Sequence, residues 1–133
     1  ALYDSTLGVL EDVEGVEVRV VPGVSAASAL AAAHRTGLNR VGGAVQITTG
    51  RRLADGLPAD ADDVVVMLDP ECRFRELDED GLELLWGAYL GTPDELVVAG
   101  PLDEVADEVV RVRSEARERK GWIFDTYLLR RRR

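Results

Sequence analysis

A run of five successive apolar residues, Val64 to Leu68, is the feature that most restricts the fold of this chain. A strand that faces water on one side alternates apolar and polar residues, and this run does not alternate. The pattern therefore predicts a strand over 63–68 that is buried on both faces. Such a strand belongs in a sheet with helices on each side, so a layered α/β fold is expected.

Hydrophobic periodicity and helix start and stop signals predict the other elements. From Leu102 to Ala116 apolar residues recur at spacings typical of a helix, with Pro101 in the first turn. Shorter helices are predicted over the first dozen residues and over 26–35, where Ser25 suits the N-cap position. Apolar and β-branched runs predict further strands at 16–21, 44–48, 84–90, 95–99 and 122–129.

Strands that alternate with helices predict an α/β sandwich. The strands at 84–90 and 95–99 are separated by Gly91-Thr92-Pro93-Asp94, a spacing typical of a hairpin. A hairpin makes the sheet mixed instead of all parallel. The predicted fold class is therefore a mixed-sheet αβα sandwich.

Gly42-Gly43 marks a candidate domain boundary, because glycine permits many backbone conformations and the residue pattern changes on either side. Residues 1–37 are predicted to be the trailing helix-strand-helix of one domain, and residues 38–133 to form a second α/β domain. The chain opens on Ala-Leu-Tyr-Asp, with neither an initiator methionine nor a signal peptide. We therefore expect a fragment of a longer protein.

The composition argues against several classes of function. Sixteen Lys and Arg residues against 25 Asp and Glu residues give a net charge of −9, which disfavours nucleic acid as a partner. No apolar run approaches the ~20 residues that span a bilayer, so no membrane partner is expected. The single cysteine cannot form an internal disulfide, and the cytoplasm is the expected compartment.

Charge is distributed unevenly along the chain. No acid occurs from Val18 to Ala54, and this segment contains Arg19, Arg35, Arg40, Arg51 and Arg52. The simpler interpretation is that a buried strand and an alanine-rich helix contain few charges. The alternative is a local positive field for an anionic ligand. The four arginines at 130–133 are interpreted as a solvated tail.

No side chain stands out as a catalytic or metal-binding group. His34, the only histidine, lies at a predicted helix end without a cysteine or carboxylate at metal-ligand spacing. Cys72 has Arg73 and Arg75 beside it, which could lower its thiol pKa, but no second cysteine or base is near it in the sequence. We therefore predict no metal site and assign no catalytic residue.

Small residues follow several of the predicted strands, at Pro22–Ala26, Thr48–Gly50, Met67–Asp69 and Gly91-Thr92. In open α/β sheets ligands bind beyond the strand ends, where small residues let them approach the backbone. Turn formation alone would also explain each of these positions.

Taken together and in order, these segments resemble the tetrapyrrole methylases, S-adenosylmethionine-dependent enzymes with a cleft between two α/β domains. Val20-Val21-Pro22-Gly23-Val24-Ser25-Ala26 looks like the strand and turn that enter the last helix of the family's first domain. Four longer runs look like one member of the family, at 1–6, 47–53, 86–95 and 121–129. The resemblance covers nearly the whole chain and implies that it is the second half of such an enzyme.

The resemblance implies S-adenosylmethionine as the cofactor. The family's cofactor contacts map onto Leu2, Ser25, Ala26, Met67 and Gly91. Leu68 departs from the glycine that usually follows this methionine in the family, where the contact at the methionine is made through the backbone.

The implied reaction is transfer of a methyl group to a ring carbon of a precorrin in cobalamin biosynthesis, with release of acetate. A precorrin carries many carboxylates, and Arg51 and Arg52, after a predicted strand end, are the candidates to bind them. A homodimer is also expected. Two alternatives stay open, a methylase of another precorrin or of uroporphyrinogen, and a non-catalytic α/β module for ligand binding or dimerisation.

Overall fold

A computed structural model describes residues 2–132 of the chain, with side chains from residue 5 onward. Its main elements are α1 (Leu2–Glu11), α2 (Ala26–Ala33), β1 (Val45–Thr49), β2 (Asp63–Met67), β3 (Leu82–Ala88), β4 (Leu96–Pro101), α3 (Leu102–Lys120) and β5 (Asp125–Arg131). Short 3₁₀ helices lie at Gly50–Asp55 and Arg73–Glu76. None of the helices described is both long and apolar enough to cross a bilayer.

The five strands form one sheet in the order β1-β2-β5-β3-β4. β1 and β2 are parallel, whereas β5 is antiparallel to both of its neighbours and β4 is antiparallel to β3. The sheet is therefore mixed, and the predicted hairpin between β3 and β4 is confirmed. Since β1, β2 and β3 point the same way, their C-terminal ends share one border of the sheet, the carboxyl edge.

One layer covers each face of the sheet. Val64 and Val66 of β2 belong to the larger core cluster together with Val109 of α3. Val65, which points to the other face, packs in a second cluster with Leu30 of α2. β2 is thus buried on both faces, each such side chain contributing about 1.5–3 kcal/mol. The αβα sandwich predicted from this run is confirmed.

Helix α2 begins at Ala26, as the sequence predicts, and ends at Ala33, two residues before the predicted end. The Ser25 hydroxyl accepts a hydrogen bond from the Ser28 backbone N–H at 3.2 Å, which caps the N-terminus. His34 follows the last turn, and its Nε2 donates to the Trp86 carbonyl oxygen of β3 at 2.9 Å. The histidine therefore ties the end of α2 to the sheet.

The strand predicted at residues 16–21 is wrong. Residues 16–25 are neither helical nor paired as a strand, and their valines are exposed, from 38% for Val18 to 83% for Val24. An extended segment becomes a strand only when a neighbour takes up its N–H and C=O groups. Within the described chain no strand lies beside this segment, so its β-branched composition does not decide its structure.

The interpretation of the C-terminal arginines as a solvated tail is wrong for Arg130 and Arg131. Arg130 and Arg131 belong to β5, and Arg130 Nε lies 2.7 Å from Oδ1 of the fully buried Asp63. Arg131 Nε pairs with Glu79 Oε1 at 2.5 Å, and this bond lowers the Glu79 pKa. Both arginines are therefore held by carboxylates that the sheet brings to them, while Arg133 lies outside the described residues.

Replacing Arg130 with Met tests the buried pair. The substitution leaves the Asp63 carboxylate buried without its cation, which should lower the free energy of unfolding by about 3 kcal/mol. Urea unfolding followed by circular dichroism measures the loss. Arg132→Met is the matched control, because Arg132 is half exposed and lies 4.0 Å from Glu83. We expect this control to change stability by no more than about 0.5 kcal/mol, and equal effects of both substitutions would contradict the argument.

Candidate functional site

Most of the residues that the sequence analysis predicts to bind cofactor or substrate lie along the carboxyl edge. Arg51 and Arg52 follow β1 directly. Met67 is the last residue of β2, and Gly91 lies shortly after β3. The shared strand direction places these residues along one border of the sheet, although they are far apart in the sequence. Leu2 begins α1, and its side chain lies outside the described residues.

The N-terminus of α2, with Ser25 and Ala26, also lies on the side of this edge. After α2 the chain reaches Gly37, whose carbonyl oxygen accepts a hydrogen bond from Arg130 at 2.8 Å. Arg130 is paired with Asp63, the first residue of β2, so the chain that leaves α2 reaches the amino end of that strand. His34, directly after α2, contacts Trp86 near the other end, so the segment from α2 to Gly37 runs antiparallel to β2 and its N-terminus lies toward the carboxyl edge.

The residues around the proposed cofactor positions form one connected surface. Met67 and Leu90 pack against the cluster that contains Ala27 and Leu30 of α2. Gly91 follows with a φ of +75°, and a Cβ at this position would meet no atom within 4 Å. The described residues therefore leave the backbone at Gly91 uncrowded.

A cavity of about 460 Å³, the edge pocket, lies at the carboxyl edge beside α3. It is formed by the residues after β1 and β2, by one turn of α3 and by the segment that leads into β5. Its lining combines apolar side chains, Leu68, Ile123 and Phe124, with charged ones, among them Arg51, Asp69, Arg113 and Asp125.

Asp125 holds two side chains in place beside the edge pocket. Its Oδ2 accepts hydrogen bonds from Trp86 Nε1 at 2.9 Å and from Arg113 Nε at 3.0 Å. Its Oδ1 accepts a third from Arg113 Nη2 at 3.3 Å. Arg113 is only 9% exposed, so this two-point contact both neutralises its charge and fixes its orientation.

Asp69 joins three segments at the turn after β2. Its Oδ2 accepts hydrogen bonds from the Tyr127 hydroxyl at 2.6 Å and from the Arg73 backbone N–H at 2.7 Å. Burial, together with the hydrogen bond to Asp69, raises the pKa of the Tyr127 hydroxyl. Asp69 Oδ1 is buried without a hydrogen-bond partner among the described residues. A Cβ on Gly50 would stand 2.4 Å from that oxygen, so only glycine lets the turn after β1 approach so closely.

Cys72 is not an activated thiol, although arginines flank it in the sequence. Its side chain is buried, and burial, together with Asp125 and Asp69, raises the thiol pKa although Arg113 and Arg75 act to lower it. The thiol is therefore protonated at neutral pH. The described residues also contain no cluster of three side chains that could hold a metal ion.

Three non-glycine residues near the carboxyl edge have a left-handed backbone. The φ angles are +55° at Leu68, +53° at Cys72 and +51° at Tyr89. Such conformations cost about 1–2 kcal/mol each and concentrate at functional sites. Periodicity and composition contain no signal for them. The one sequence signal was that Leu68 stands where the family resemblance expects glycine.

The structure separates the two arginines proposed to bind substrate. Arg51 lines the edge pocket, whereas Arg52 lines another cavity of about 240 Å³ beside Gln46 and Leu57. Both side chains are exposed, and neither forms an ion pair with a described residue. The sequence analysis did not single out Arg113, because the partner that fixes it comes from β5.

The model of one protein family, the Tetrapyrrole (Corrin/Porphyrin) Methylases, matches residues 1–106. The chain therefore belongs to the tetrapyrrole methylases, which use S-adenosylmethionine as methyl donor. A precorrin-6A synthase (deacetylating) of Sinorhizobium is 46% identical to it over an alignment of 134 positions, which covers 97% of this chain and 51% of that protein.

Solved structures agree with this assignment. A cobalamin synthesis related protein (CobF) of Corynebacterium diphtheriae superposes with a TM-score of 0.86 at 38% identity, over 97% of this chain and 56% of that one. A uroporphyrin-III C-methyltransferase of Thermus thermophilus, complexed with S-adenosylhomocysteine, shares the fold with a TM-score of 0.57 at 24% identity, over 96% of this chain and 55% of that one. The chain spans about half the length of these relatives.

Gly50→Ala tests the close approach between the turn after β1 and the Asp69 carboxylate. The new Cβ would overlap the carboxylate, so the backbone or Asp69 must move, and we expect a loss of about 1–3 kcal/mol in unfolding free energy. Urea unfolding provides the measurement. Gly8→Ala is the control, because a Cβ at Gly8 meets nothing within 4 Å. A stability equal to that of the parent for Gly50→Ala would show that the contact is not restrictive.

Proposed function

We propose that this chain forms the C-terminal half of an S-adenosylmethionine-dependent methyltransferase of cobalamin biosynthesis. Its reaction would convert precorrin-5, S-adenosylmethionine and water to precorrin-6A, S-adenosylhomocysteine and acetate. The similarity to a precorrin-6A synthase of Sinorhizobium supports this substrate.

The observation that carries the proposal is the meeting of three sequence runs around the edge pocket. The run at 86–95 contributes Trp86, which donates to Asp125 in the run at 121–129. The run at 47–53 contributes Gly50, which lies against Asp69. These three runs are far apart in the sequence, so local structure does not explain why they meet. A shared binding site would explain it.

Ser25, Ala26, Met67 and Gly91 are proposed to hold S-adenosylmethionine, with Leu2 included on the resemblance alone. The positions fit such a ligand, because Met67 ends β2 at the carboxyl edge, Gly91 follows β3 at the same edge, and a Cβ at Gly91 would meet no atom within 4 Å. The cofactor, when bound, supplies the methyl group. The task of the protein is to place it, since methyl transfer depends on in-line alignment more than on acid-base groups.

Arg51 and Arg52 are proposed to bind carboxylates of the tetrapyrrole. Arg51 is the better placed, because it lines the edge pocket and has no ion-pair partner among the described residues. An arginine without a carboxylate partner in the protein is free to pair with a carboxylate of the ligand in two-point geometry.

Residues 1–37 are proposed to belong to a first α/β domain and residues 38–133 to form the second. The exposed valines of residues 16–24 support this division, since a sheet of a first domain would bury them. α2 would then be shared, because it already covers one face of the sheet described here. Dimerisation, a cytoplasmic location and the absence of nucleic-acid and membrane partners stay predictions.

Methyl transfer tests the proposed function. The first half of the Sinorhizobium relative would be joined in front of residue 1, and the product would be followed by mass with labelled S-adenosylmethionine and precorrin-5. We expect a methylated product and one acetate per turnover from the joined polypeptide, and none from the chain alone. A methylated product without acetate would favour another precorrin methylase, and no product would favour a binding module.

Calorimetry with S-adenosylhomocysteine tests the cofactor assignment. Half of a cleft offers half of the contacts and should bind the ligand more weakly than micromolar, whereas the joined polypeptide should bind it at least tenfold more tightly. Sub-micromolar binding by residues 1–133 alone would contradict the shared cleft.

Substitution of the two arginines tests the carboxylate assignment. Each charge-assisted pair contributes roughly 1.5–3 kcal/mol, so Arg51→Gln should raise the KM for the tetrapyrrole about ten- to a hundredfold in the joined polypeptide. The KM for S-adenosylmethionine should stay unchanged, and Arg52→Gln should have a smaller effect. Arg40→Gln is the control from the same acid-free segment, because Arg40 lies near the opposite edge, where it donates to the Arg131 carbonyl oxygen. Parent-like kinetics for Arg51→Gln at low salt would remove Arg51 from the site.

A further inference from the structure

Leu68 occupies a conformation and an environment that are both unfavourable for leucine. Its φ of +55° lies in the left-handed region, where a Cβ crowds the backbone. Its side chain is 53% exposed and belongs to neither core cluster of the sheet. The fold therefore does not use this side chain for packing, and a glycine would satisfy the turn after β2 with less strain.

The surroundings of Leu68 indicate what the side chain contacts. Leu68 lines the edge pocket together with Phe124, which is 55% exposed and also lies outside both core clusters. Arg51 lines the same pocket and has no ion-pair partner among the described residues. The pocket thus combines two exposed apolar side chains with one available cation.

This combination matches a ligand that has an apolar ring and acidic substituents. A flat macrocycle would cover Leu68 and Phe124 and remove their apolar surface from water. A carboxylate at the rim of the same ligand would pair with Arg51. A small anion such as acetate would use Arg51 and leave the apolar surface uncovered.

We propose that Leu68 is a substrate-contacting residue that determines affinity, its strained backbone being the means by which the side chain reaches the ring of a carboxylated tetrapyrrole. The inference rests on the proposed function for the class of substrate. In the proposed function, the backbone at the end of β2 contacts the cofactor. We add that the side chain of Leu68, the next residue, contacts the substrate.

The test compares stability with binding in the 133-residue chain. Uroporphyrin III is titrated by fluorescence, and thermal unfolding is followed by circular dichroism. Leu68→Gly should weaken porphyrin binding about fivefold, because the apolar contact is lost, while the melting temperature rises or stays unchanged because the strain is released. Leu68→Ala should weaken binding to a similar degree without the rise in melting temperature, since alanine keeps a Cβ in the left-handed region.

Arg35→Gly is the matched control. Arg35 has a φ of +54° and an exposed side chain, and it lies between α2 and β1, at the opposite end of α2 from the carboxyl edge. This substitution should release a similar strain and leave porphyrin binding unchanged. Phe124→Ala should weaken binding as Leu68→Ala does, because both side chains would touch the same ring.

Two results would overturn the inference. One is porphyrin binding by Leu68→Gly and Leu68→Ala that equals binding by the parent, and the other is an absence of porphyrin binding by the parent chain. If the joined polypeptide methylates precorrin-5, neither of these results contradicts the proposed function. Conversely, Leu68-dependent porphyrin binding without methyl transfer would support this inference about the pocket and contradict the proposed reaction.

Discussion

The structure depends on the way β5 holds the two ends of β2. Because β2 is buried on both faces, the carboxylates at its ends are also removed from water, Asp63 fully and Asp69 to all but 6%. β5 supplies a partner to each, Arg130 to Asp63 and Tyr127 to Asp69. A buried carboxylate without such a partner would be strongly destabilising. The antiparallel register of these two strands is therefore fixed by polar contacts as well as by the apolar core.

The two ends of β2 serve different purposes. At the amino end the Asp63–Arg130 pair also reaches the chain after α2, through the Thr36 hydroxyl and the Gly37 carbonyl oxygen, and thus anchors that helix. The carboxylates of Asp63 and Asp69 each keep one buried oxygen without a partner among the described residues. At the carboxyl end that oxygen of Asp69 lies against Gly50, and the backbone after the strand is strained at Leu68. The contacts at the amino end stabilise the fold. The strained backbone at the carboxyl end lowers stability and lines a pocket, and such strain is common at functional sites.

Electrostatics in the edge pocket follow from pairings within the protein. Asp125 neutralises Arg113, and Glu71 and Glu76 lie within ion-pair distance of Arg73. Arg51 has no such partner in the described chain, so it stays available in the pocket, which is also lined by Asp69, a carboxylate bound only by the Tyr127 hydroxyl and a backbone N–H. The acid-free segment is therefore not a single positive patch. The fold places Arg51 at the carboxyl edge and Arg40 near the opposite one, where it binds a β5 carbonyl oxygen.

The sequence by itself determined the layers and most of the elements, because apolar periodicity reports directly which faces must leave water. It also placed Met67, Gly91 and Arg51 after strands, and the strand directions then brought them to one edge. Only the tertiary structure decided whether the valines of residues 16–24 form a strand, since pairing requires a neighbour that local sequence does not specify. It likewise decided that Arg130 pairs with the buried Asp63, that Asp125 fixes Arg113 and that Leu68 is strained. Each of these depends on which distant group occupies the space next to the residue, and no periodic pattern records that.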